Sequence, residues 1–156
     1  MTQRAEPHAA RAIRAGLTAA VAAAGSSDRA AFDAATARLQ TGDSEVLFRI
    51  EALLVRGLLE QRHPDGLDAA DLRAAITLTL DRARPWWPDA DASALVAAGL
   101  RSLGLDEPEA EAPPHPAEVG RHAVLLIATL SEGHRLSTLL DAALAEIART
   151  ETMELP

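Results

Sequence analysis

The side chains best suited to acid–base or metal chemistry in this chain are carboxylates and histidines at helical spacing. Glu118 and His122 stand one turn apart, and His134 follows about three turns later with Glu132 close by. If two copies of such a helix met, these four groups would form a carboxylate–imidazole cluster of the kind that general acid–base catalysis or a divalent metal requires. The competing reading is a solvated helix face. His134 falls in phase with the apolar positions, where a charged group is destabilising unless paired, so it reads as a hydrogen-bonded core or interface histidine. Glu60-x-x-His63 has the i,i+3 spacing of a ligand pair in di-iron bundles, but those sites take two such pairs and two more glutamates, and one copy is present. His63 also precedes Pro64, which places it at a helix end where the dipole favours an imidazole. No metal, cofactor or catalytic residue is assigned on these patterns.

Trp86 and Trp87 are the only tryptophans, framed by Arg84, Pro85, Pro88 and Asp89 in a chain with two other aromatics. At least one should plug an end of the fold, and the functional reading makes the other an exposed anchor for a partner.

Whole classes of chemistry drop out by composition. The chain has no cysteine, hence no thiol nucleophile, thiolate metal site or disulfide. It has no lysine, which removes Schiff-base catalysis, pyridoxal phosphate anchoring and the Walker-type phosphate loop. Neither HExxH nor GxSxG nor an acidic calcium loop occurs. The net charge of −8 is uneven: residues 1–62 carry eight arginines and seven acids, residues 63–156 seven and sixteen. Without a concentrated basic surface, nucleic acid is not an expected partner. Arg4, Arg11 and Arg14 ahead of Ala15–Gly25 superficially resemble a secretory start, yet Leu17 and Val21 are the only strongly apolar residues of that run, so an amphipathic helix is expected. The longest apolar stretch, Ala123–Leu130, is far too short to cross a hydrocarbon core of about 30 Å. A cytoplasmic protein with no membrane contact is the expectation.

The elements that would position these residues are all helical. Ile13, Leu17, Ala20, Val21 and Ala24 form one apolar face, ended by Gly25-Ser26-Ser27; Phe32, Ala35, Thr36 and Leu39 form a second, behind a cap at Ser27 or Asp28. From about 44 to 62, apolar residues cover most of the circumference and leave a stripe of Glu45, Arg49, Arg56 and Glu60, which marks the central helix of the fold. Asp68 caps a fourth helix that Pro85 stops, and a fifth, about 92–103, closes on Gly104. The acidic, Pro-rich stretch 106–116 has little to bury and should form an exposed loop, with Pro116 opening the next helix. From Val119 to Ile147 one face continues through Leu126, Leu130, His134, Leu140 and Leu144; it is either one long helix or two meeting near Glu132–Leu136.

The expected fold is an all-α, single-domain bundle of six or seven helices. The apolar face over Val119–Ile147 points to a non-catalytic protein that works by association, as a homodimer or with another helical protein, through Trp86, Trp87, Leu126, Leu130, His134, Leu140 and Leu144. The alternative is a regulatory domain that binds a small apolar ligand between its helices, without a DNA-reading module. A small enzyme using histidine and glutamate comes third.

Overall fold

The computed structural model describes residues 7–105, 109 and 112–154. These form seven helices and no strand: α1 (His8–Gly25), α2 (Arg29–Leu39), α3 (Ser44–Arg62), α4 (Ala69–Ala83), α5 (Ala92–Ser102), α6 (Pro116–Leu130) and α7 (Leu136–Met153). Of the acidic stretch 106–116, residues 106–108, 110 and 111 lie outside the described set.

Aspartate starts four of these helices by accepting from a backbone N–H that the first turn leaves unpaired. Asp28 accepts from Ala31, Asp43 from Glu45 and Val46, and Asp91 from Ser93. Asp68 and Asp71 bond reciprocally in a capping box at α4. At α6, Pro116 takes the first helical position and the His115 ring accepts from the Ala117 N–H. Gly104, at φ 69°, ends the α5 region in the left-handed conformation that glycine adopts without strain.

The apolar face that runs from Val119 to Ile147 breaks into two helices at Ser131–Arg135, where Gly133 takes φ 81°. The break corrects the placement of His134. It lies exposed in the turn, off the apolar face with which its number is in phase.

α3 buries Leu47, Ile50, Leu54, Val55, Leu58 and Leu59 against α5, α6 and α7. It shares the centre with α6, which packs on α1, α3, α4 and α5 and is buried over nearly its whole circumference from Val119 to Leu130. α7 contributes Leu140, Ala143 and Ile147 to the same core. No helix among the described residues is long and apolar enough to cross a membrane.

Candidate functional site

The carboxylate–histidine residues do not converge. Glu118 and His122 lie on the first half of α6, whereas Glu132 and His134 follow its far end, past a helix of 15 residues that rises about 1.5 Å per residue. Glu132 pairs with Arg82. Glu60 pairs with Arg56, and His63 closes α3 within 3.5 Å of Asp71. No group of three or more potential metal ligands occurs among the described residues.

His122 is 1% exposed and satisfied on both ring nitrogens. Nδ1 donates to the Glu118 carbonyl at 2.7 Å, one turn back along α6, and Nε2 accepts from the Asp91 N–H at 2.8 Å. That pairing fixes the neutral tautomer with its proton on Nδ1. Since Asp91 also caps α5, His122 ties the start of α5 to α6. Burial holds the imidazole below its ordinary range, against the opposing pull of the Glu118 carbonyl and carboxylate. His122→Leu strands the Asp91 N–H and should lower stability by about 1–3 kcal/mol in urea denaturation at neutral pH. His122→Gln, whose side-chain oxygen can replace Nε2 as acceptor, should recover most of that loss; equal losses in the two variants would refute the role.

Trp87 lies over this histidine, with ring centroids 4.7 Å apart, and is 3% exposed. Phe32 packs on both tryptophans, at 5.4 Å from Trp86 and 5.5 Å from Trp87. The guanidinium groups of Arg29 and Arg121 approach the Trp87 ring at 4.6 and 4.7 Å, and Asp33 binds both arginines. Glu118 holds Arg121 as well, at 2.9 Å. Trp87 is therefore the plug expected of one tryptophan. Trp86 is half-buried and forms part of the wall of an open groove of about 540 Å³, shared with Thr79, Arg82, Glu132 and His134. That groove contains no buried charged group. Leu126, Leu130 and Leu140 are at most 1% exposed, enclosed in the chain's own core, and Leu144 is half-buried.

The site with unexplained chemistry lies elsewhere, on a residue outside every motif. Glu51 is 5% exposed, midway along the buried face of α3. Its carboxyl has no hydrogen bond or ion pair with any described residue, yet its oxygens are not sealed from solvent. They open onto a cavity of about 380 Å³ where α2, α3, α5 and α6 meet. Leu39, Leu47, Phe48 and Val124 supply an apolar wall, and Arg101 and Arg121 bring two guanidinium groups. Arg101 stacks on Phe48 at 4.0 Å. Across the cavity Gln40 donates to the Ala117 carbonyl at 2.9 Å, tying the end of α2 to the first turn of α6.

Gly120 exposes the carboxyl. A Cβ there would lie 3.6 and 3.9 Å from the two Glu51 oxygens, so the bare α6 backbone leaves open the space that a side chain would cover. Burial pushes the Glu51 carboxyl up to about 8, with Arg101 opposing the rise, so the group is largely a neutral acid at pH 7. A neutral carboxyl in an apolar recess can donate one hydrogen bond and accept others, and here no described residue does either. The signal was present in the sequence as a carboxylate one turn after Leu47 and one turn before Val55, in phase with the apolar face rather than with the polar stripe.

Comparison with known protein families, with curated proteins and with solved structures finds no match to this chain.

Proposed function

We propose that this protein is a helical ligand-binding domain that takes a small amphiphilic molecule into the cavity between α2, α3, α5 and α6. The observation that carries this reading is Glu51, a residue 5% exposed on the buried face of α3, whose carboxyl has no partner among the described residues and opens onto the cavity. A bound ligand would supply this carboxyl with hydrogen bonds that no described residue provides. The cavity falls within the range of about 300–1,000 Å³ common for small-molecule sites and combines an apolar wall with few polar groups, as such sites do. Self-association through the Val119–Ile147 face has less to draw on, because its leucines are occupied inside the chain. Leu105 and Met153 are the only exposed large apolar side chains among the described residues.

A small-molecule library screened by thermal shift tests the reading when run in parallel on the native chain and on Gly120→Ala. The added methyl meets only the Glu51 oxygens, at ordinary contact distance, and improves helix propensity by about 1 kcal/mol, so the variant folds while its carboxyl is covered. A true ligand at a hundredfold excess over its Kd stabilises the native chain by about 2.7 kcal/mol and the variant by much less. A library in which no compound separates the two proteins would contradict the proposal.

A further inference from the structure

We propose that the ligand is an uncharged amphiphile, its head a carboxamide or hydroxyl that exchanges hydrogen bonds with the Glu51 carboxyl, its short hydrocarbon tail against Leu39, Leu47 and Val124. This inference rests on the ligand-binding reading above and names the charge and chemistry of what the cavity takes.

Neither sign of ion finds a counterpart here. An anion needs a cation free to receive it, and both guanidinium groups on the lining are occupied. Arg121 binds Asp33 and Glu118, while Arg101 is already engaged and lies over the Phe48 ring at 4.0 Å. A cation would share the recess with those two positive charges, and Glu51 is the only buried acid among the described residues that could answer it. Glu45, the other acid on the lining, is exposed. An ion leaves water favourably only where its counterion and its hydrogen bonds are already in place, so an uncharged head is the one this lining accepts without that penalty.

Hydrogen-bonding capacity points the same way. The Thr36 hydroxyl on the lining donates to the Phe32 carbonyl at 3.0 Å, and the Gln40 amide to the Ala117 carbonyl. A second hollow against Glu51, of about 10 Å³, is enclosed by Ala52, Ala98, Val119 and Ala123, and its one hydroxyl, Ser102, donates to the Ala98 carbonyl at 2.7 Å. That hollow is too small for a ligand, so a partner for the carboxyl enters from the 380 Å³ cavity. Glu51 is thus the one buried polar group on these walls without a partner. An ammonium brings three donors and a carboxylate about four acceptor sites, more than one carboxyl satisfies. A hydroxyl or carboxamide exchanges one bond in each direction with it, and the capacity left over carries no charge. Burial, which keeps the proton on Glu51 at pH 7, supplies the donor and the acceptor that this exchange uses. The cavity accommodates roughly a dozen water-sized volumes of about 30 Å³ each, which suits a short tail and not a long one.

The test is calorimetric titration of the full chain at pH 7 with hexanamide, hexan-1-ol, hexanoate and hexylamine, on the native protein, Glu51→Gln and Glu51→Leu. Folding of each is checked by circular dichroism under the same conditions. The two uncharged probes should bind saturably and about tenfold or more tighter than either ion. Glu51→Gln keeps a donor and an acceptor without a charge and should hold hexanamide within about threefold of the native affinity, whereas Glu51→Leu leaves the head unpaired and should weaken it about tenfold. Either ion binding as tightly as hexanamide would overturn the uncharged assignment and leave the cavity a ligand site. Hexanamide binding indifferent to Glu51→Leu would overturn it too. If none of the four binds while a library compound still separates the native chain from Gly120→Ala, the uncharged assignment falls and the ligand-binding reading stands; if no such compound exists either, both fall.

Discussion

Glu51→Gln should be markedly more stable than the parent chain above pH 8 and nearly equal to it near pH 5. The sign follows from proton counting. In the unfolded chain this carboxyl titrates near its ordinary value of 4.5, while in the folded protein burial holds the proton until about pH 8. Across that window the folded state binds more protons than the unfolded one, so its stability falls by about 1.4 kcal/mol for each pH unit. At the upper end the accumulated loss is on the order of 4–5 kcal/mol, a large fraction of the total for a single domain. The glutamine variant has the same shape, cannot ionise and removes that loss.

His122 works in the opposite direction: its folded-state affinity for protons is depressed, so its contribution is present above the ordinary imidazole value of 6.5 and is lost as pH falls below it. The native chain should therefore show a stability maximum with an acid limb set by His122 and an alkaline limb set by Glu51. Urea midpoints measured from about pH 5 to pH 9 read both limbs. An alkaline limb that survives in Glu51→Gln would show that Glu51 does not carry it.

The second large effect is expected at Trp87. Removing this 3% exposed ring deletes its contacts with Phe32 and His122 and leaves Arg29 and Arg121 without the ring they approach. Truncation of a buried aromatic lowers stability by about 3–5 kcal/mol, and cation–π contacts add about 0.5–2 kcal/mol where they are partly desolvated. Trp87→Ala should therefore approach the limit of what the fold tolerates, and calorimetric melting should show a drop of ten degrees or more, at about 2–4 °C per kcal/mol for a chain of this size. Trp86→Ala, at a half-buried ring, should lower the melting temperature by less than half as much. Equal losses at the two positions would contradict the division of roles between the tryptophans.

The helices were legible because each is written locally. Asp28, Asp68 and Gly104 mark helix ends by side-chain and backbone chemistry that acts over three or four residues, and the apolar faces of α1 and α2 repeat at helical spacing. The break at Gly133 was open on the same grounds, since Leu126 and Leu140 share a phase whether or not the helix is continuous. His134 was misplaced because phase says nothing about a turn that takes a residue out of the helix. The role of His122 needed Asp91, thirty-one positions away, and no local spacing records that pairing. Glu51 was hidden for a related reason. Its cavity also takes in α5 and α6, distant in sequence from its own helix, and its neighbour Gly120 acts by lacking a side chain. Its phase among Leu47, Leu54 and Val55 was the one local trace.

The central claim, that the cavity beside Glu51 receives a ligand, is tested most directly by backbone amide NMR during titration with a compound that stabilises the native chain but not Gly120→Ala in the thermal-shift screen. The account predicts saturable shifts centred on Ala117, Gly120 and Glu51, with the amides of Thr79 and Trp86 in the separate groove unmoved. Shifts centred on the groove beside Trp86 and His134, or linear shifts that never saturate, would contradict it.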